Sequence, residues 1–252
     1  MKPILAKENV DVLAQLAWAR ALIAFDFDGT LAPIVDDRER ASMRAVTLRR
    51  FSRLCTLYPC AVISGRSQRD VASRLDGAPV KYVVGNHGLE PGAGLTAFER
   101  EVSRAHTVLV DAMREWPGVD VEDKRYSLAL HYRRCRRKRE AREAILGAVR
   151  ALPTPMRIVP GKMVVNVVPA RAPDKGDALL DLRTREKADI ALYVGDDVTD
   201  EDVFKLDQPG RVLTVRVGES RASSATYFLR TQREIDTLLN KLVVLREKPS
   251  AT

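Results

Sequence analysis

Short apolar runs that alternate with amphipathic segments are the feature that most constrains how this chain folds. The runs at residues 21–25, 61–63 and 80–84 are largely apolar, which is typical of strands covered on both faces. The segments at 43–57 and 68–75 have a helical period. Strands that alternate with helices in this way predict an α/β fold, in which a parallel sheet has helices on its faces.

The middle of the chain has a different pattern and predicts a separate module. Helical periods at 98–116 and 138–152 are mixed with strand-like segments joined by short turns, which suggests an antiparallel α+β module. We therefore expect an α/β core formed by residues 1–90 and 169–252, interrupted by a module formed by residues 91–168. The strands of the module are predicted at 119–121, 126–132, 156–159 and 163–168. The parallel pattern then resumes, with helices at 175–187, 201–206 and 232–245 and strands at 190–194 and 211–217.

Size and composition favour one or two domains without membrane segments. The chain has 252 residues, of which 45% are hydrophobic, and no stretch approaches the ~18 uncharged apolar residues of a spanning helix. The first residues lack the sustained apolar region of a secretory signal. Cys55, Cys60 and Cys135 form no CxxC pair, which fits a reducing compartment. We predict a soluble, cytoplasmic protein that does not bind membranes.

The net charge of +8 favours anionic partners, and much of it lies in a basic run at residues 133–139. This run is either a solvated strand exit and helix start or a segment that binds nucleic acid. It contains no interleaved aromatic residue, and the sequence has no helix-turn-helix or RNA-binding signature. We therefore expect no nucleic-acid partner, and a non-catalytic nucleic-acid-binding protein is the distant alternative.

Asp26 and Asp28, which directly follow the run at 21–25 and precede Gly29, are the first candidates for chemistry. Residues i and i+2 of a strand point the same way, so both carboxylates can face one small volume. They repel by roughly 4 kcal/mol at 4 Å and an effective dielectric constant near 20, and a divalent cation would offset that repulsion. One acid could then attack while the other moves protons. An Asp-Gly turn or a helix cap is the structural alternative.

Three more polar groups follow predicted strands, at the edge where ligands bind in open α/β sheets. Ser64 and Arg66, separated by a glycine, can hold a phosphate oxygen at a helix start or form an ordinary cap. Lys175 lies at a helix start, where the dipole disfavours a cation, so it either balances carboxylates or a phosphate or is a surface lysine. Residues 196–202 hold five acids in seven positions, which favours a cation site over an acidic helix cap.

In combination, these four groups resemble the motifs of the haloacid dehalogenase superfamily of phosphotransferases. The motif groups are at residues 26–30, 64–66, 175 and 195–202. The resemblance implies a Rossmann-like parallel sheet core with an inserted α+β cap domain, in agreement with the organisation predicted above.

The same resemblance implies a role for each motif residue. Asp26 would attack phosphorus and form an aspartyl-phosphate, and Asp28 would protonate the leaving oxygen and then deprotonate the hydrolytic water. Mg²⁺ would be held by the Asp26 carboxylate, the Asp28 backbone carbonyl and Asp196. The remaining residues implied are Ser64 and Lys175, which bind phosphoryl oxygens, and Asp197 and Asp200, which support the metal site.

Three further segments resemble the trehalose-6-phosphate phosphatase family and extend the resemblance over nearly the whole chain. They are residues 85–90, 122–133 and 161–165. The resemblance implies a Mg²⁺-dependent enzyme that hydrolyses trehalose 6-phosphate, with this sugar phosphate as its partner. The residues expected to bind the substrate are Arg66, Asn86, His87, Glu122, Lys124, His131, Arg133, Lys162 and Asn166.

Some of these residues also have a structural interpretation. Glu122 and Lys124 are two residues apart on a predicted strand, so they either face one ligand or form a cross-strand ion pair. His131 taken alone is more typical of a structural histidine. His87 lies close to Gly85 and Gly88, which favours a site residue over a core histidine.

One segment departs from the family pattern. At the end of the third resembling segment, the family has a glutamate that contacts sugar hydroxyls and, two residues later, a basic residue. This chain has Asn166 and Val168 there. Asparagine still donates and accepts hydrogen bonds but has no charge. Another glycosyl or sugar phosphate is therefore the alternative substrate.

Overall fold

The computed structural model of the protein describes residues 1–92, 94–161, 163–206 and 209–247. The chain divides into two compact units, one formed by Met1–Gly88 with Asp174–Thr252 and the other by Leu89–Pro173. The described residues of the first unit contain a seven-stranded sheet, and those of the second a four-stranded sheet. The first sheet is parallel and the second antiparallel. This architecture confirms the predicted α/β class.

The helices and strands follow one another along the chain in this order. The elements up to the end of the second unit are β1 (Lys2–Pro3), α1 (Val10–Trp18), β2 (Ala21–Phe25), α2 (Ala45–Cys55), β3 (Cys60–Ile63), α3 (Gln68–Arg74), β4 (Tyr82–Val84), α4 (Leu95–Ala112), β5 (Asp120–Asp123), β6 (Leu128–His131), α5 (Lys138–Arg150), β7 (Met156–Gly161) and β8 (Val164–Pro169). The elements that follow are α6 (Lys175–Arg185), β9 (Ile190–Gly195), α7 (Glu201–Phe204), β10 (Val212–Val217), β11 (Tyr227–Leu229) and α8 (Ile235–Glu247).

The parallel sheet has the strand order β1-β11-β10-β9-β2-β3-β4, and its central strands are covered on both faces. Every residue of β2 is buried. Ile23 and Phe25 pack with residues of α1, α2 and α8 on one face, and Leu22 and Ala24 pack with residues of α6 and α7 on the other. This alternation follows from the two-residue period of a strand. It explains why the apolar runs of the core strands are nearly continuous.

Three short elements of this unit were missed by the sequence interpretation. Helix α1 lies within the apolar segment at residues 10–25, which Asp11 and Arg20 interrupt, and these single charges were too little to mark off a helix from β2. Strands β1 and β11 have two and three residues, which is too few for a two-residue period to be recognised. They pair with each other at one edge of the sheet.

The antiparallel sheet of the second unit has the order β5-β6-β8-β7. Leu128 and Leu130 of β6 form a core with Leu109 of α4 and Ile145 of α5, so both helices cover the same face of the sheet. The alternate residues of β6, among them Ala129, point to the opposite face. The opposite face therefore carries the polar side chains described below.

Two features of the surface bear on partners. The basic run at 133–139 leads into α5, and apart from the buried Cys135 its side chains are exposed. The guanidinium of Arg137 lies 5.2 Å from the centroid of the Trp116 ring, and Arg139 pairs with Glu143 at 3.4 Å. No helix in the described part of the chain is long and apolar enough to cross a membrane.

Candidate active site

Neighbouring strands of the parallel sheet end beside one another and position the predicted motif residues. Strands β9, β2 and β3 are adjacent in the sheet, and the residues that directly follow them are Asp196, Asp26 and Ser64. Parallel strands have their carboxyl ends at the same edge, which is the ligand-binding edge of open α/β sheets. The topology therefore brings together side chains that are far apart in the sequence.

Lys175 joins two carboxylates at this edge. Its Nζ donates to Asp26 Oδ1 at 3.0 Å and to Asp200 Oδ1 at 2.7 Å. The side chain of Lys175 is 1% exposed and that of Asp200 is 0% exposed, so bulk water does not screen the interaction. Helix α6 begins at Lys175, and Asp174 caps it by accepting from Asp177 N at 2.9 Å. The cap fixes where the helix begins and so where Lys175 stands.

The electrostatics of the site show an excess of negative charge. Burial, opposed by the charge of Lys175 and reinforced by that of Asp200, raises the pKa of Asp26 to about 7. Burial and the charges of Asp26 and Asp200 raise the pKa of Asp196 to about 9. Although burial opposes its charge, Lys175 has a pKa above its usual value because of its two carboxylate partners. One lysine thus leaves the carboxylates incompletely neutralised.

Asp26, Asp196 and Asp200 form a candidate site for a divalent cation. Each offers one carboxylate oxygen, and these oxygens all lie within 4.8 Å of one another. Oxygen donors with net negative charge suit Mg²⁺ and other hard cations. The charge of a bound cation would favour the ionised forms of Asp26 and Asp196, which burial disfavours. The donor chemistry therefore fits a divalent cation.

Gly29 allows the turn after Asp28 to approach the acidic loop closely. Its φ is +80°, and a Cβ at this position would overlap the carboxylate of Asp196. The next residue, Thr30, donates from Oγ1 to Asp196 Oδ1 at 3.3 Å. A larger residue at position 29 would both strain the backbone and displace a candidate metal ligand.

The carboxylate of Asp28 is held by Arg66. Arg66 Nε donates to Asp28 Oδ2 at 2.6 Å and Nη2 donates to Asp28 Oδ1 at 2.8 Å. The remaining nitrogen, Nη1, donates to Asp70 Oδ2 at 2.8 Å. The structure therefore places Arg66, which the sequence predicts to bind substrate, in a bidentate pair that orients Asp28.

Ser64, Asn86 and His87 lie together at the ends of β3 and β4, and all three are buried. His87 N donates to Ser64 O at 2.9 Å, and Asn86 N donates to Arg66 O at 2.7 Å. Asn86 and His87 both have left-handed backbone conformations, with φ of 48° and 60°. The His87 ring lies against Gly65, where a Cβ would overlap it. The serine hydroxyl oxygen accepts from Arg66 N at 3.2 Å.

In the second unit, strand register groups three of the predicted sugar-binding residues. Glu122 of β5 and Asn166 of β8 are both paired with Ala129 of β6, so their side chains share one face. His131 lies two residues from Ala129 on that face, and its Nε2 is 2.9 Å from Glu122 Oε2. This face is opposite the one that α4 and α5 cover. Asn166 is buried, and its Nδ2 donates to Val159 O at 3.4 Å.

Two more of the residues predicted to bind the sugar, Lys124 and Arg133, lie in the second unit just after the ends of its strands β5 and β6. Lys124 directly follows β5, and its N donates to Ser127 O at 2.9 Å. Arg133 is exposed, two residues after the end of β6. Lys162 lies outside the described residues.

Tyr193 belongs to the site, although the sequence interpretation did not single it out. It is fully buried on β9, and its hydroxyl donates to Asp200 Oδ1 at 2.7 Å. The sequence does contain a signal for this role. A buried tyrosine needs a partner for its hydroxyl, and Tyr193 lies on a strand that leads into an acidic loop. Periodicity alone assigned it to the core of the strand.

The comparisons with known proteins agree with this geometry. A parallel α/β sheet whose carboxyl edge joins an aspartate, a lysine and an acidic loop defines a protein of the haloacid dehalogenase type. The family model described as trehalose-phosphatase matches residues 24–233. The chain belongs to this family.

Two relatives show how far the similarity extends. The trehalose-phosphate phosphatase of Mycobacterium ulcerans is 32% identical in an alignment of 240 positions that covers 88% of this chain and 61% of that protein. The trehalose-phosphate phosphatase of Mycobacterium tuberculosis is 33% identical in an alignment of 263 positions, gaps included, that covers 95% of this chain and 67% of that protein. The chain therefore spans about three-fifths to two-thirds of the length of these relatives.

Solved structures show the same fold. The C-terminal domain of Candida albicans trehalose-6-phosphate phosphatase superposes with a TM-score of 0.79 at 24% identity, covering 97% of this chain and 99% of that one. The trehalose-6-phosphate phosphatase of Aspergillus fumigatus superposes with a TM-score of 0.65 at 25% identity, with coverage of 97% and 99%.

Proposed function

We propose that this chain is a Mg²⁺-dependent phosphatase that hydrolyses trehalose 6-phosphate through an aspartyl-phosphate on Asp26. The observation that supports this most is the buried contact of Asp26 with Lys175, at 3.0 Å, beside the acidic cluster. The contact engages Asp26 Oδ1, so Oδ2 is the oxygen that we assign to attack on phosphorus. Family membership gives the substrate class.

The proposed reaction has two steps, and Asp26 and Asp28 take part in both. In the first step an Asp26 oxygen bonds to phosphorus, the bond from phosphorus to the sugar oxygen breaks, and Asp28 gives that oxygen a proton. In the second step water bonds to phosphorus, the aspartyl–phosphate bond breaks, and Asp28 takes a proton from the water. The side chain of Asp28 is 39% exposed, so it can exchange protons with solvent. Both of its oxygens accept from Arg66, so the pair has to open at one oxygen before Asp28 carries the proton that it gives to the sugar oxygen, and the remaining bond keeps the carboxyl group oriented.

Mg²⁺ is the cation that we propose for the acidic cluster. Asp26, Asp196 and the backbone carbonyl of Asp28 would hold it, and the charge it supplies would offset that of the carboxylates and of the transferring phosphoryl group. This chain's own cation, Lys175, is fixed between Asp26 and Asp200 and can also contact a phosphoryl oxygen. Ser64 would donate its hydroxyl to another, because the hydroxyl oxygen already accepts from Arg66 N. Mg²⁺, Lys175 and Ser64 would thus together stabilise the negative charge of the transferring phosphoryl group.

The polar face of the second unit is the proposed site for the sugar. Glu122, His131 and Asn166 share this face, and together they offer anionic, imidazole and amide groups to sugar hydroxyls. The pair of Glu122 with His131 at 2.9 Å orients both side chains. We also assign substrate contacts to Asn86, His87, Lys124, Arg133 and Lys162, as the family resemblance implies. We also propose that residues 91–168 form an inserted cap domain.

A second candidate function is hydrolysis of another glycosyl phosphate. The observation that favours it is Asn166, which stands where the family has a glutamate. Its amide already donates to the backbone of Val159, so it offers a sugar fewer free donors and no charge. A substrate that lacks one of the hydroxyls of trehalose would suit this arrangement.

The test is a phosphate-release assay over a panel of sugar phosphates, with Mg²⁺ or with EDTA. The panel contains trehalose 6-phosphate, glucose 6-phosphate and other disaccharide phosphates. We expect kcat/KM to be highest for trehalose 6-phosphate and activity to disappear in EDTA. Preference for another sugar phosphate would support the second candidate. Activity that persists in EDTA would contradict the role of the metal.

A further inference from the structure

Asp200 is surrounded by hydrogen-bond donors. Its Oδ1 accepts from Lys175 Nζ at 2.7 Å and from the Tyr193 hydroxyl at 2.7 Å. Its Oδ2 accepts from Asp196 N at 2.8 Å and from Asp197 N at 2.9 Å. A carboxylate has about four lone-pair positions, so these donors fill its acceptor capacity. Asp200 therefore holds its neighbours in place, and of the three clustered carboxylates those of Asp26 and Asp196 are left for a cation.

Each donor to Asp200 controls a different part of the site. Asp196 N and Asp197 N fix the backbone of the acidic loop and so the direction of the Asp196 side chain. Lys175 Nζ is shared with Asp26 Oδ1, so the position of the lysine sets its contact with the proposed nucleophile. Tyr193 differs from Lys175, the other side-chain donor, because its hydroxyl carries no charge and, within the described part of the chain, donates to Asp200 without also contacting Asp26.

We infer that Tyr193 is a positioning residue for this site, an inference that rests on the proposed function. Its hydroxyl shares Asp200 Oδ1 with Lys175, and it approaches from β9, the strand that leads into the acidic loop. Its ring is held edge-to-face against Phe204, with centroids 6.1 Å apart. The hydroxyl is therefore a fixed donor on a rigid strand. It holds the Asp200 carboxylate in the orientation in which Oδ1 accepts from Lys175 and Oδ2 accepts from the backbone of the acidic loop.

Loss of the Tyr193 hydroxyl would change how Lys175 is shared between Asp26 and Asp200. With one donor fewer on Oδ1, the Asp200 carboxylate would become free to rotate, and it would carry Lys175, which donates to it at 2.7 Å, out of its contact with Asp26. Rotation would also loosen the two backbone contacts that orient Asp196. Both changes weaken metal binding and the step at Asp26, and neither touches the sugar. The expected signature is a lower Mg²⁺ affinity and a lower kcat with KM for the sugar phosphate little changed.

The experiment compares Tyr193→Phe with Tyr58→Phe in the full chain. Tyr58 is a buried tyrosine of the same unit whose hydroxyl has no hydrogen-bond partner among the described residues. It precedes β3, at the edge of the sheet opposite Ser64. Mg²⁺ affinity is measured by calorimetric titration of metal-free protein, and kcat and KM by phosphate release. We expect Tyr193→Phe to lose about 10-fold in Mg²⁺ affinity and about 10-fold in kcat, and Tyr58→Phe to match the wild type.

The outcomes separate this inference from the proposed function. If Tyr193→Phe keeps the wild-type Mg²⁺ affinity and kcat and only unfolds at a lower temperature, the residue is merely structural and the inference is wrong. If the wild type binds Mg²⁺ but releases no phosphate from any sugar phosphate, the proposed function fails, while the calorimetric comparison still decides the role of Tyr193. If Tyr193→Phe does not fold, the titration is made with 4-fluorophenylalanine at position 193. This side chain fills nearly the volume of tyrosine but donates no hydrogen bond, so a wild-type Mg²⁺ affinity would then overturn the inference.

Discussion

Asp26 and Asp196 are carboxylates whose surroundings favour their protonated forms when no cation is bound. Burial is the main cause in both cases, and it raises the pKa of Asp26 to about 7 and that of Asp196 to about 9. A structural ion pair would instead balance its charges. The imbalance at this edge of the sheet is therefore a cost in folding stability that a bound cation removes.

This imbalance predicts how stability depends on pH. In EDTA, the folded state keeps protons on Asp26 and Asp196 that the unfolded state, with ordinary pKa values near 3.8, has already lost. The folded state thus binds more protons, so the free energy of unfolding falls as pH rises from about 5 to about 9. Mg²⁺ binds the ionised carboxylates, so its stabilising effect grows over the same range. Urea unfolding at several pH values, with and without Mg²⁺, measures both trends.

Asp196→Asn provides the control, because it removes one of the two titrating groups. The variant should show a weaker pH dependence in EDTA and a smaller stabilisation by Mg²⁺. An unfolding free energy that stays constant between these pH values in EDTA would contradict the electrostatic description of the site.

Helix α6 shows how a single element positions a residue that we propose to be catalytic. Lys175 is its first residue, where the helix dipole disfavours a cation, and the carboxylates of Asp26 and Asp200 outweigh that effect. Asp174 and Asp177 form a reciprocal capping box at this end of the helix. The box fixes the first turn, and with it the backbone from which Lys175 extends.

The cap can be tested by Asp174→Ala. Loss of the capping bond to Asp177 N should lower the free energy of unfolding by about 1 kcal/mol and reduce kcat, because Lys175 is then less well fixed. Asp181→Ala is the matched control on the same helix, since the pair that Asp181 forms with Arg185 at 2.8 Å is exposed. This control should change stability by less than about 0.5 kcal/mol. Equal effects of the two substitutions would argue against the positioning role of the cap.

The elements differ in how far the sequence predicts them. Helix α6, predicted at 175–187, is found at Lys175–Arg185, because its apolar period and its cap both lie in one short segment. Strand β11 could not be predicted in the same way. Its three residues are a strand only because β10 and β1 pair with them, which local sequence does not reveal.

At the scale of the whole molecule, the sequence points to the motif residues but not to their partners. Asp26 and Lys175 are 149 residues apart, and only the parallel topology brings them to 3.0 Å. The pairing of Asp28 with Arg66 likewise depends on the packing of β2 beside β3. Hydrogen bonds such as that of Tyr193 to Asp200 follow from a fold that periodicity describes only in outline. The class of fold was therefore predictable, and the hydrogen-bond network around the proposed nucleophile Asp26 was not.

The most direct test of the account is to find the covalent phosphoenzyme and its position. The protein is mixed with Mg²⁺ and its preferred sugar phosphate and quenched in acid, and the peptide spanning residues 21–38 is sequenced by mass spectrometry. We predict one phosphoryl group on Asp26, its loss in Asp26→Asn together with a fall in kcat of roughly 10⁴-fold or more, and its retention in Asp36→Asn, a change at an exposed position in the same peptide. A phosphoryl group on another residue, or full activity in Asp26→Asn, would contradict the account.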